Sequence, residues 1–181
     1  FIYLVGSTNS NFDNASLYLF SCRRNATGVY SLEILSPAAG NRFTHVSACS
    51  DGAFFESGTA MHVVAREETN AGSVLGLRHL RSLNWGLTHT SGTLANANND
   101  MYPSAAFSIQ SGIDSIYIAV ERRVANDEYE IRMISTSEAP INTYNTRMIT
   151  DAASGTVYEK PSLSIQQRNY QQPQNILITC S

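Results

Sequence analysis

Ile116-Tyr117-Ile118-Ala119 decides the reading of this chain, because its pattern returns three more times. The other copies are Ile2-Tyr3-Leu4-Val5, Met61-His62-Val63-Val64 and Ile176-Leu177-Ile178-Thr179, with starts 59, 55 and 60 residues apart. Each is a short apolar run of the kind that forms a buried strand. A second strand follows at a nearly constant offset. Leu17-Tyr18-Leu19 lies 15 residues after the first copy, Leu75-Gly76-Leu77 14 after the second, and Ile131-Arg132-Met133 15 after the third. The stretches between them, Ser7 to Asn14, Glu67 to Gly72 and Arg122 to Glu128, are polar and turn-forming, and read as hairpin loops.

Two further strands complete the unit. The third position is filled by Tyr30 to Ile34, by Leu83 to Thr88 and by Thr146 to Thr150. A fourth strand precedes the next copy of the opening pattern: Thr44 to Ser47, Pro103 to Phe107 and Pro161 to Ile165. Proline at a strand start leaves only the first N–H out of the ladder. Four short strands repeated every ~58 residues predict an all-β chain built as a β-propeller of four-stranded antiparallel blades. The expected units are 1–40, 41–98, 99–156 and a partial 157–181, about three blades in all. A closed propeller takes at least about four. The expectation is therefore that the remaining blades come from the same polypeptide, a second copy or another subunit. Both ends of the sequence fall inside apolar runs, Phe1 to Val5 and Ile176 to Thr179, which reads as a chain processed or cut from something longer.

Composition narrows the partners. The 181 residues carry 15% charged side chains, below the roughly 25% of an average soluble domain, with a net charge of −3. Lys160 is the single lysine, and no basic stripe is present, so nucleic acid is not an expected partner. No apolar run approaches the ~20 residues of a membrane helix. Ser, Thr and Asn supply 51 residues, a profile of β-structure with polar turns, often found outside the cell or at its surface.

Ser115-Ile-Tyr-Ile-Ala-Val-Glu-Arg-Arg123, a polar loop, and Tyr129-Glu-Ile-Arg-Met-Ile-Ser-Thr-Ser137 together resemble blades of sialidase-like propellers with bacterial neuraminidase (BNR) repeats. Leu77 to Thr88 resembles a degraded second half of such a blade. The Asp-box pattern Ser-x-Asp-x-Gly-x-Thr-Trp and the Arg-Ile-Pro motif of sialidases are both absent. The resemblance therefore implies the fold and assigns no catalytic residue.

Candidate chemistry is sparse. Arg66, Glu121 and Arg122 follow the opening strand in two successive units, where propeller strand ends converge. An Arg fork there suits a carboxylate-bearing ligand such as a sialic or uronic acid. Asn14 and Asn25 stand in Asn-x-Ser/Thr sequons and are glycosylation candidates. His45, His62, His79 and His89 have no metal-ligand spacing, and His62 reads as a packed ring. No metal site or cofactor is expected, although Asp13, Asn14, Asn98, Asn99, Asp100, Asn126 and Asp127 form oxygen-rich turns of a type that holds structural calcium. Cys22, Cys49 and Cys180 read as buried free thiols, or as one bridge with a leftover.

The function these features favour is a secreted or surface-displayed, non-catalytic propeller module that binds a glycan or a protein. The alternatives are a sialidase-like glycoside hydrolase with part of its site outside this chain, and a structural subunit of an extracellular assembly.

Overall fold

The structure is a computed structural model and describes residues 2–7, 17–22, 30–35, 37–50, 61–82, 88–94, 99–110, 113–125, 128–137, 144–150, 157–166 and 175–181. They form thirteen strands: β1 (Ile2–Ser7), β2 (Leu17–Cys22), β3 (Tyr30–Leu35), β4 (Asn41–Ser50), β5 (Met61–Thr69), β6 (Val74–Ser82), β7 (Thr90–Leu94), β8 (Asp100–Gln110), β9 (Ile113–Ala125), β10 (Glu128–Ser137), β11 (Tyr144–Met148), β12 (Ser162–Gln166) and β13 (Asn175–Thr179). The strands make four antiparallel sheets in which neighbours in the sequence are neighbours in space: β1–β3, β4–β7, β8–β11 and β12–β13. Two are four-stranded, and none closes on itself. Among the described residues no helix is long and apolar enough to cross a membrane.

The repeat survives into the pairing register. The fourth residue of the opening motif lies opposite a serine each time the partner strand is present: Val64 faces Ser47, Ala119 faces Ser104 and Thr179 faces Ser162. The strands carrying these serines, β4, β8 and β12, pack one against the next. Ser47 Oγ accepts the Ala105 N–H at 3.0 Å, and Ser104 Oγ accepts the Leu163 N–H at 2.9 Å. One sheet-to-sheet hydrogen bond is thus made twice, by equivalent residues.

Alternation along the motif explains the core. The odd positions Ile116 and Ile118 join Val120 and Ile134 of the third sheet in a cluster with Val64, Leu77 and Leu94 of the second. On the other face of the second sheet, Met61, Val63 and Ala65 cluster with Phe43 and Leu80. Side chains therefore alternate between the two faces of the second sheet, one of them packed on the third sheet, as the period of two requires. Each such aliphatic side chain contributes roughly 1.5–3 kcal/mol by leaving water.

Some boundaries differ from the sequence expectation. The outer strand described in the second sheet is Thr90–Leu94; of the expected Leu83 to Thr88, residues 83–87 lie outside the described set. Leu94 pairs with Leu77 across the ladder and is buried in the inter-sheet cluster, a non-local contact that favours this strand. Glu67, Glu68, Arg122 and Arg123 are not in loops: β5 runs on to Thr69 and β9 to Ala125.

Candidate functional site

The first strands of the second and third sheets open with the same distortion, and the approach to the fourth repeats it. His45 and Tyr102 have φ of 47° and Lys160 has φ of 48°, and each precedes its repeat serine by two residues. The β4 and β8 ladders shift register there, between Thr44 and Val46 and between Met101 and Ser104. A bulge re-aims the local side chain, and the left-handed conformation costs a non-glycine residue of order 1–3 kcal/mol unless its surroundings hold it. Here the surroundings include an edge-on contact between the His45 and Tyr102 rings, with centroids 4.3 Å apart, that joins the two sheets.

Charged groups gather behind these rings. Glu68 is gripped by Arg42, whose Nη2 and Nε lie 3.0 and 3.2 Å from Oε2. Arg66 Nε lies 2.9 Å from Glu68 Oε1 as an ion pair, its N–H not aligned as a hydrogen bond. Glu67, on the opposite face of β5, takes Asn41 Nδ2 at 2.8 Å and pairs with Arg78. Burial lowers the His45 imidazole below its ordinary pKa, and the Arg66 charge lowers it further, against the opposing pull of Glu68.

Arg66 and Glu121 occupy the same repeat position, the sixth residue of the motif, in successive sheets. The structure brings them within electrostatic reach of each other. Glu121 is nearly inaccessible, and its Oε2 accepts the Lys160 N–H at 3.0 Å, tying the third sheet to the distorted residue of the fourth. Burial raises the Glu121 carboxyl, opposed by that hydrogen bond and by the charges of Lys160 and Arg66. Arg122 turns to the other face of β9, its Nε 3.9 Å from Glu130 Oε1. Asp100 lies in the same group: fully buried, with Oδ2 3.6 Å from Arg132 Nη1. Burial pushes its carboxyl up to about 6, against the lowering effect of Arg132 and Arg122. Of the three residues singled out from sequence, Arg66 and Glu121 therefore share a site, and Arg122 belongs to a separate buried ion-pair group.

The sequence pattern does not single out His45, Tyr102 or Lys160 as functional. A signal existed, since Tyr102-Pro103-Ser104 and Lys160-Pro161-Ser162 share a Pro-Ser pair, but His45-Val46-Ser47 lacks the proline that would have made it a triplet. His62 is a packed ring, hydrogen-bonded to His79 and stacked on Phe107. Asn14 and Asn25 lie outside the described residues, as do the turn residues Asp13, Asn98, Asn126 and Asp127. Asp100 is a buried strand residue and not a turn residue. Cys49 and Cys180 are free thiols, the first half-buried and the second exposed. Among the described residues no three His, Cys, Asp or Glu side chains converge as a metal-ligand set.

The paired rings of His45 and Tyr102, the exposed cation of Lys160, and the buried Glu121 carboxylate and Arg66 guanidinium make up the arrangement. Such a surface suits a polar ligand with an apolar face. No family model, curated protein or solved structure matches this chain.

Proposed function

We propose that the four sheets are successive blades of a β-propeller, and that the chain is a non-catalytic, surface-displayed or secreted module that binds a glycan at the end marked by His45, Tyr102 and Lys160. The observation that carries the reading is the recurrence of one distortion and one serine contact in adjacent sheets, spaced 57–59 residues apart. Rotation of a unit about a common axis reproduces a contact in this way, and the residues at the starts of the inner strands then gather at one rim. Rims of such scaffolds serve binding because rigid strands hold variable side chains in place. The paired rings provide a platform for the apolar face of a sugar. Lys160, with Arg66 behind, favours saccharides that carry a carboxylate.

The test is a glycan array containing neutral, sialylated and uronic-acid saccharides, followed by calorimetry on any hit. Binding of an acidic saccharide is expected, weakened at least tenfold in Tyr102→Ala and in Lys160→Ala. Absence of saccharide binding up to millimolar concentration removes the proposal. Turnover of a fluorogenic sialoside replaces it with a hydrolase.

A further inference from the structure

We propose that the joint between the second and third sheets is an acid-operated latch. The buried His62–His79 pair keeps it shut while both rings are neutral, and protonation of the pair parts the two sheets at that end while the strands within each stay paired. The inference is independent of what the chain binds.

Contacts run the length of the joint. His45 meets Tyr102 ring to ring at one end, and Ser47 Oγ accepts the Ala105 N–H further along. At the other end His62, the ladder partner of Cys49, stacks on Phe107 with ring centroids 5.9 Å apart and planes 15° from parallel. The last of these contacts is the one a proton can undo. His62 Nδ1 and His79 Nε2 lie 3.0 Å apart, and both rings are fully buried. Whichever tautomer is present, one ring donates to the other, so two neutral rings satisfy the contact. His62 Nε2 has no hydrogen-bond partner. A proton taken by His62 therefore leaves an N–H at Nε2 without an acceptor and a charge without water, and both are costly.

The surroundings offer little in return. On β4 the facing group is Cys49, a neutral thiol, and β6 contributes His79 and the cationic Arg81. Gly92 of β7 lies opposite His79, and β9 and β11 bring Ile116, Ile118 and Tyr144 to the adjoining cluster. None of these groups is an anion. The Phe107 ring of β8, at 5.9 Å, stands at the limit of a cation–π contact. Burial, with His79 and Arg81 beside it, accordingly pulls His62 down to about 3. Water reaches the imidazolium only when the third sheet lifts away. The same movement uncovers Cys49, which packs against the inter-sheet cluster.

An opened joint presents an imidazole that takes a proton near 6.5, and the closed joint one that takes it only near 3. The opening constant therefore rises as pH falls through 6.5, by about tenfold per pH unit for one proton, and levels off below 3.

Thiol exchange with 4,4′-dithiodipyridine, which reacts in acid, tests this on the full chain. Peptide mass spectrometry reads Cys49 against exposed Cys180 as the internal reference. The Cys49-to-Cys180 labelling ratio should rise about a hundredfold between pH 7.5 and pH 4.5, with the far-ultraviolet circular dichroism unchanged. In the double variant His62→Leu/His79→Leu, which removes donor and acceptor together, the ratio should stay level. Should that variant fail to fold, His62→Phe alone should flatten the rise. A ratio that stays level in the unaltered chain overturns the proposal, as does a rise that the folded variant retains. A rise that runs in step with loss of the circular dichroism overturns it too, because the whole chain would then be unfolding and not one joint.

Discussion

His62 Nδ1 and His79 Nε2 meet at 3.0 Å on adjacent strands of the second sheet, both rings fully buried beneath the third. The pair needs one ring to donate and the other to accept, which two neutral imidazoles do. Burial, then the proximity of His79 and Arg81, pulls His62 down to about 3.

That depression makes stability fall with acid. The unfolded imidazole takes a proton near 6.5 and the folded one only near 3, so the contribution is complete above pH 6.5 and is lost as pH drops from there toward 3. The slope reaches at most about 1.4 kcal/mol per pH unit. Urea midpoints measured from pH 7.5 to pH 4 should decline steadily. His62→Leu, which copies the residue at the equivalent position 177, should flatten the decline. An unchanged profile in that variant would mean another group carries the acid sensitivity.

The serine contacts should separate by position. Ser47→Ala and Ser104→Ala each leave an inter-sheet backbone N–H without its acceptor, at a cost of about 1–3 kcal/mol. Ser162→Ala, at the exposed equivalent in an isolated chain, should stay within about 0.5 kcal/mol. Denaturant titrations of the three variants at low chain concentration check this, and equal effects at all three sites would refute a repeated contact.

Lys160 holds φ at 48° with an exposed side chain, while its N–H serves Glu121. Lys160→Gly keeps the N–H and removes the clash of Cβ with the left-handed conformation. A gain of up to about 1 kcal/mol is expected, net of the extra freedom glycine gives the unfolded chain. Lys160→Val should lose at least as much. Thermal melting of both distinguishes a held conformation from a relaxed one, since two unchanged midpoints would contradict the strain.

Thiol chemistry should divide the cysteines. Burial pushes the Cys49 thiol up to about 12, so almost no thiolate exists near neutral pH, whereas Cys180 is exposed. A maleimide pulse read by peptide mass spectrometry should label Cys180 promptly and Cys49 only on unfolding. Equal rates would show that the second and third sheets part readily.

Much of the architecture was legible because its signal is local and repeated. Met61 to Val64 and Ile116 to Ala119 mark the same strand in two sheets, and the order of strands within each sheet follows the order in the sequence. The outer strand of the second sheet was not legible, since Thr90 to Leu94 has little apolar character and is chosen by Leu77 across the ladder. The site was half legible. Arg66 and Glu121 stand at matching repeat positions, but adjacent Arg122 could be assigned to the opposite face only once the strand was known to run through it.

The amino-acid order alone determined the all-β class, the period of the unit and the phase of its strands, because alternation and turn chemistry act over a few residues. Only the tertiary structure decided that His45, Tyr102 and Lys160 share one distorted backbone state, that Ser47 and Ser104 bind the next sheet, and that Leu177 is uncovered where His62 is buried. These depend on which sheet lies against which, and residues nearly sixty positions apart meet only after the sheets have packed.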